Sequence, residues 1–307
     1  MGVPETMREL GWELPHTFLG LDESGSDFEN AQVVILPVPY ESTVSYGGGT
    51  GNGPAAIVEA SRYIELYDQE LDCEPADVGV ATLPALSLSG AGGESALAEL
   101  RRAYDALLDA APGKLVIMLG GEHSISSAPI LAWAERLARQ GRRLSVLQFD
   151  AHTDLRPEYE GSAFSHAAVM YQVQSQVDIV AVGIRAITAE EMQLVRGSEQ
   201  LHVFLADDIH DGGDEWQDRV LDLLGDDVYI SFDVDAFDPA LMPSTGTPEP
   251  GGLSWYPVLK LLRRVFGAKR VHAVDVVELA PTPGLHAPDF LAAKLVYKMI
   301  GYRYRQP

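Results

Sequence analysis

Apolar residues recur along this chain in two alternating patterns. The first is a set of short uninterrupted runs rich in β-branched residues: VVILPV (33–38), KLVIML (114–119), LSVLQF (144–149), VDIVAVGI (177–184), VYISF (228–232) and VHAVDVV (271–277). Runs that are apolar on both faces predict parallel strands covered by helices on each side. The second pattern fills the gaps with helical period. NGPAAIVEASRYIELY puts Pro54 where a first turn tolerates it, and ESALAELRRAYDALLDA spaces Leu97, Leu100 and Leu107 between charges. SSAPILAWAERLARQG, DEWQDRVLDLLG and PVLKLLRRVFG follow the same rule. No internal repeat, low-complexity tract or long linker interrupts the series, and SLSGAGGES (87–95) reads as a flexible loop. The alternation predicts one α/β domain with a largely parallel sheet.

In such sheets ligands bind beyond the carboxyl ends of the strands, and three strand ends here carry unusual polar residues. KLVIML runs into GGEHS, with Glu122 and His123; LSVLQF runs into DAHTD, with Asp150, His152 and Asp154; VYISF runs into DVDAFDP, with Asp233 and Asp235. Residues two apart in extended backbone point the same way, so Asp150 with His152, and Asp233 with Asp235, each aim two ligand-type side chains at one point. Buried unpaired carboxylates are costly to ionise, and a divalent cation supplies the compensating charge. Two His and four Asp exceed the needs of one tetrahedral zinc but suit two ions if some carboxylates bridge. Oxygen-rich ligation with imidazole and no sulfur selects manganese, with nickel or zinc as alternatives. Taken singly, an Asp or His after a strand is an ordinary helix cap. The agreement of three strand ends is what argues for a metal.

Composition narrows the classes. The chain has 307 residues, 46% of them hydrophobic, enough for a sizeable core. No run approaches the roughly 18 apolar residues of a membrane span, and MGVPETMREL lacks the basic-then-apolar pattern of an export signal. Cys73 is the only cysteine, which excludes an internal disulfide or a thiolate zinc site and suits a reducing cytoplasm. Forty-five acidic against 22 basic residues give a formal charge of −23, which disfavours nucleic acid and anionic membrane as partners and favours small cations.

With these motifs in hand, the sequence resembles the ureohydrolase family, which includes arginase and agmatinase. GGEHS, DAHTD and SFDVDAFDPA stand in the family's order, continued by TGTPEPGGL (245–253) and VDVVELAP (274–281) and preceded by YGGGTGNGPAAIVEAS (46–61) and YDQELD (67–72). The resemblance implies a three-layer α/β/α fold with a mainly parallel sheet of about eight strands. It implies a single domain over residues 1–307 with 1–30 as an amino-terminal extension, and a homotrimer or homohexamer. It also implies one manganese on His123, Asp150, Asp154 and Asp233 and another on Asp150, His152, Asp233 and Asp235, with Asp150 and Asp233 bridging.

The chemistry implied is hydrolysis of a guanidino group to urea and a primary amine, because paired cations make a water acidic enough to attack at neutral pH. Asp154 would take the water's proton toward the leaving amine. Glu278, in VVELAP, matches the family's guanidinium-binding glutamate; Thr247, in the Thr245-Gly246-Thr247 turn, would line the same pocket. His166, in SAFSHAAVM, matches a histidine that serves as proton shuttle or substrate contact. His16, His202, His210, His272 and His286 have no supporting pattern.

Within the family, Leu155, Arg156 and Pro157 stand where arginases carry an Asn-containing stretch, and LRPEYEG and TGTPEPGG look more like agmatinases. The expected substrate is agmatine, a small cationic guanidino compound giving putrescine, with Glu158, Glu160 or Glu249 as carboxylates for its tail. Arg156 keeps guanidinobutyrate and guanidinopropionate as alternatives, with free guanidine and formiminoglutamate further off. A non-catalytic metal-binding regulatory subunit is the alternative from another class, and its expected mark, loss of ligands, is not seen.

Overall fold

The computed structural model describes residues 16–88 and 92–305. MGVPETMREL, the rest of the expected extension up to residue 15, and positions 89–91 of the expected 87–95 loop lie outside the described residues. All eight strands join one sheet in the order β2-β1-β3-β8-β7-β4-β5-β6, and every pairing is parallel. Six strands are the apolar runs read above: β1 (Val33–Val38), β3 (Leu115–Gly120), β4 (Leu144–Phe149), β5 (Asp178–Ile184), β7 (Asp227–Asp233) and β8 (Arg270–Val277). Five of them are buried almost residue for residue, as expected of strands covered on both faces. The edge strands β2 (Val80–Thr82) and β6 (Leu201–Leu205) have no comparable run. An edge strand is half covered and short, so its sequence need not be continuously apolar.

Helices cover both faces, giving the three-layer α/β/α architecture. On one side α1 (Gly53–Ser61), α7 (Glu215–Leu223), α8 (Trp255–Ala268) and α9 (Ala287–Tyr304) enclose a core that contains Ile117, Phe149, Phe232 and Val274. On the other, α2 (Glu94–Ala110) and α3 (Ser127–Ala138) pack over Val34, Val116 and Met118, while α4 (Val169–Val173) and α5 (Ala189–Arg196) flank the cluster around Val146 and Ile179. A short α6 (Ala206–Asp211) follows β6.

Helix α9 carries no amphipathic pattern because it is enclosed all round: Leu295 through Tyr302 are buried without interruption. Its buried Lys298 reaches Asp68 at 2.9 Å and Glu70 at 2.7 Å, which ties the YDQELD segment to the last helix. The described part of residues 1–30 joins the core, since Phe18 and Leu19 are buried. Among the described residues no helix is long and apolar enough to cross a membrane.

Candidate active site

The last two strands in sequence, β8 and β7, lie between β3 and β4 at the centre of the sheet. The carboxyl ends of β3, β8, β7 and β4 therefore stand side by side, and every loop that carries candidate chemistry leaves from this one edge. Phe149 pairs with Phe232 across β4 and β7, and Asp233 with Val277 across β7 and β8, which levels the loops beyond them. Gly121 lets the β3 loop pass against β1's exit, where a Cβ would overlap the Tyr40 carbonyl.

The ligand-type side chains converge. His123 Nδ1 lies 3.0 Å from Asp154 Oδ2, 3.2 Å from Asp150 Oδ2 and 3.4 Å from Asp233 Oδ2. His152 Nδ1 lies 3.0 Å from Asp235 Oδ2 and 3.6 Å from Asp150 Oδ1. Two compact groups result, His123–Asp150–Asp154 and Asp150–His152–Asp235, with Asp150 in both through opposite oxygens. Asp233 approaches the first group through Oδ2, while its Oδ1 accepts from the Asp235 N–H at 2.8 Å. Asp154 takes a left-handed backbone, φ 51°, which turns its carboxylate back over the strand end.

The donor set fits divalent cations. Asp150, Asp233 and Asp235 are each 3% exposed or less and Asp154 6%, and among the described residues their ion-pair partners are His123 and His152 alone. His123 Nδ1 is buried and has no hydrogen-bond partner. Burial pushes Asp233 well above the usual carboxylate range, and the Asp235 and Asp150 charges add to it. Asp154 is raised by burial and by the Asp150 charge. Burial opposes charge on His152, yet Asp235 and Asp150 hold its pKa up at about 12. His123 is likewise held well above its ordinary value by Asp150, Asp154 and Asp233 against its burial. Protons here fill a demand for positive charge that cations would meet.

A buried relay orients His123. The Tyr229 hydroxyl donates to Asp275 Oδ2 at 2.7 Å and Ser231 Oγ donates to Asp275 Oδ1 at 2.9 Å. With its one proton so used, Ser231 Oγ accepts from His123 Nε2–H at 2.9 Å, leaving Nδ1 to face the carboxylates. Glu122, fully buried, accepts from the Thr43 N–H at 2.6 Å, the Thr43 hydroxyl at 2.8 Å and the Ser124 hydroxyl at 2.6 Å, pinning the segment after β1 to the β3 loop. These roles are invisible in the motifs alone. The available signal is an acid or hydroxyl inside an apolar run: Asp275 in VHAVDVV and Ser231 in VYISF.

Above the ligands lies a cavity of about 270 Å³. Glu278 forms part of its wall, again in left-handed backbone (φ 64°), and its Oε1 accepts from the His123 N–H at 2.6 Å. Burial raises its pKa to about 8, opposed by that hydrogen bond and by His123. His166 closes another side, its ring nitrogens 3.2 Å from Thr43 Oγ1 and 2.8 Å from Ser45 Oγ. Thr247 also lines the cavity. Arg156 sits at the mouth with its guanidinium 4.8 Å from the Tyr159 ring centre. A second cavity of about 390 Å³ shares Arg156, Thr188 and Glu191 with the first and adds Glu158 and Glu190. Glu160 and Glu249 line neither. The remaining histidines stay outside the site; His272, for instance, bonds to Asp227 at the opposite end of the sheet.

Comparison with known proteins matches the Arginase family model over residues 31–301. The chain is 42% identical to an N(1)-aminopropylagmatine ureohydrolase of Thermus thermophilus, over 92% of this chain and 93% of the relative. It is 32% identical to an agmatinase of Pyrococcus horikoshii, over 98% and 99%. The solved agmatine ureohydrolase of Thermoplasma volcanium superposes with a TM-score of 0.84 at 26% identity, over 98% of each chain.

Proposed function

The chain belongs to the arginase family of metal-dependent hydrolases that act on guanidino and amidino groups, and we propose that it hydrolyses a guanidino compound built on the agmatine skeleton, releasing urea. The observation that carries the reading is the convergence of His123, Asp150, Asp154, His152 and Asp235 beneath a cavity walled by Glu278 and His166. Asp233 completes the ligand set, and two manganese ions are the proposed occupants. When bound, such a pair makes a water acidic enough to attack at neutral pH.

The chain's own groups do the rest. Burial and the neighbouring Glu122 and Asp235 charges hold Glu278 above the usual carboxylate range; a guanidinium seated beside it favours the charged carboxylate and is held by charge-assisted hydrogen bonds over the cavity floor. Asp154 takes a proton from the attacking water and passes it to the departing nitrogen as the C–N bond breaks and the C–O bond forms. One guanidinium and one water thus give one urea and one alkylammonium. His166 and Thr247 line the same cavity as Glu278, and His166 contacts the substrate's reacting end once a ring nitrogen leaves its hydroxyl partner, Thr43 or Ser45.

Two tails are in question, agmatine and N(1)-aminopropylagmatine. The second cavity, with Glu158 and Glu190 beyond the shared Glu191, favours the longer and more highly charged cation. The greater identity to the Thermus enzyme points the same way. Arg156, drawn onto Tyr159, marks the boundary between inner and outer cavities. Urea release by manganese- or nickel-loaded protein from agmatine, N(1)-aminopropylagmatine, arginine, guanidinobutyrate and guanidine tests the reading. The expected order places N(1)-aminopropylagmatine first and agmatine second, and a preference for guanidinobutyrate would reassign Arg156 to carboxylate recognition. Assembly as a homotrimer or homohexamer in the cytoplasm belongs to the same reading, and light scattering of the purified protein checks the assembly.

A further inference from the structure

Arg185 follows the last residue of β5 and sends its guanidinium into a cage of backbone carbonyls. Nε donates to Glu249 O and Pro250 O, both at 3.1 Å; Nη1 donates to Gly183 O at 3.1 Å and Ala236 O at 3.5 Å; Nη2 donates to Asp235 O and Glu249 O at 2.7 Å and to Phe237 O at 3.3 Å. Among the described residues no carboxylate lies within ion-pair distance of it. The backbone at this point grips a third loop: the Arg185 N–H donates to Ala151 O at 2.9 Å, joined by the Ala186 N–H at 3.0 Å. Ala151 in turn donates its N–H to Asp235 Oδ1 at 2.9 Å. One residue therefore fastens the Asp150–His152 loop from its main chain and the Asp235 turn from its side chain. None of these bonds reaches His123, which is held by Ser231 and Glu278 with Asp275 behind Ser231, or Asp154, whose carbonyl accepts from the Met170 and Tyr171 N–H groups at 3.1 and 3.2 Å.

We propose that Arg185 is a positioning residue for the metal centre that acts mainly on the side held by His152 and Asp235, so that its loss weakens the ion there more than the ion held by His123 and Asp154, Asp150 being common to both. The inference rests on the two-metal reading above. A planar guanidinium with donors on three nitrogens spans carbonyls from three chain segments; a lysine ammonium, a single point, cannot. A permanently charged group spent on neutral carbonyls also leaves its positive charge beside an acidic site, where it offsets crowding of the Asp235 turn.

The test is manganese binding to wild type, Arg185→Met and Arg185→Lys by equilibrium dialysis with metal analysis, with electron paramagnetic resonance of the bound ions and thermal unfolding of each metal-free protein. Wild type is expected to bind two ions per chain with the spectrum of a coupled pair. Arg185→Met should hold one ion with little loss of affinity, bind the second about tenfold or more weakly, and show the spectrum of isolated manganese. Arg185→Lys should recover part of the second affinity, and it carries the test alone if the methionine variant does not fold. Two ions bound at wild-type affinities in the variants would overturn the proposal. So would equal weakening of both ions in step with a lowered Tm, which marks a general structural role. A wild type that binds fewer than two ions defeats the metal reading itself, a result visible before any variant is compared.

Discussion

Strand β7 begins on Asp227 and ends on Asp233, two buried aspartates six positions apart with opposite surroundings. At the amino end, Arg142 Nε donates to Asp227 at 2.7 Å, Arg270 Nε at 3.0 Å, and His272 Nε2 lies 2.8 Å away. Burial works against the charge there, but hydrogen bonds from Arg270, Arg142 and His272 outweigh it and hold Asp227 well below the usual carboxylate range. At the carboxyl end, burial and the Asp235 and Asp150 charges push Asp233 far the other way, against the hydrogen bond from His123. The chain satisfies its acid at one end of the strand and leaves it in deficit at the other. That difference separates a carboxylate that holds the fold from one that awaits a ligand, although residue type, strand and burial are the same.

The largest expected effect tests the deficit. Asp233→Asn removes a charge the bound cations need, and loss of several kcal/mol of transition-state stabilisation lowers urea release on the order of a thousandfold. The metal-free protein should be no less stable than wild type, because a repelled carboxylate is gone. Activity retained, or metal-free Tm sharply reduced, would place Asp233 in the same class as Asp227.

Asp227→Asn is the mirror experiment. It leaves Arg142, Arg270 and His272 around a neutral amide, and since both arginines are partly exposed we expect a loss of about 2 kcal/mol rather than the ~3–5 of a fully enclosed pair, with kcat per folded molecule unchanged. Denaturant titration reads it. The pH profile sharpens it further. Asp227 has a folded pKa depressed below its unfolded value near 3.9, so its contribution is present above that value and drains away as pH falls toward the folded pKa. His272, lowered by burial, adds to the same acid lability below about pH 6.5. The gap between wild type and Asp227→Asn should hold steady at neutral pH and shrink below about pH 4.

Ser231→Ala reaches the deficit indirectly by freeing the His123 ring and depriving Asp275 of a donor. Metal affinity should weaken about 10- to 100-fold, and Ser231→Thr should restore part of it if the hydroxyl alone matters. The smallest effect is expected from Glu190→Gln with Glu158→Gln in the outer cavity. These exposed carboxylates contribute about 1 kcal/mol or less together, so the preference for N(1)-aminopropylagmatine over agmatine should drop by a factor of about 5, read as a ratio of kcat/KM.

How much of this was legible beforehand follows from burial. The central strands β1, β3, β4, β5, β7 and β8 are readable because two covered faces force continuous apolar runs. β2 and β6 at the edges and α9 at the core escape, the first two because one side is open, the last because no side is. Candidate ligands are readable because carboxylates and imidazoles at three strand ends have no cheaper explanation together. Their partition is another matter. Asp150 faces both groups, whereas Asp233 stands beside one, a distinction set by how the strand ends are aligned in space.

The chain order of residues by itself determined the α/β alternation, the strand ends that carry chemistry and the kinds of atoms offered there, because local period and residue type are properties of short segments. Only the tertiary structure decided that β8 and β7 slot between β3 and β4, that Ser231 and Asp275 stand behind His123, that Arg185 grips three loops, and that the outer cavity adjoins the inner one. Those relations join residues tens to hundreds of positions apart. They are fixed by the packing of the whole sheet and its helices, a balance no short segment contains.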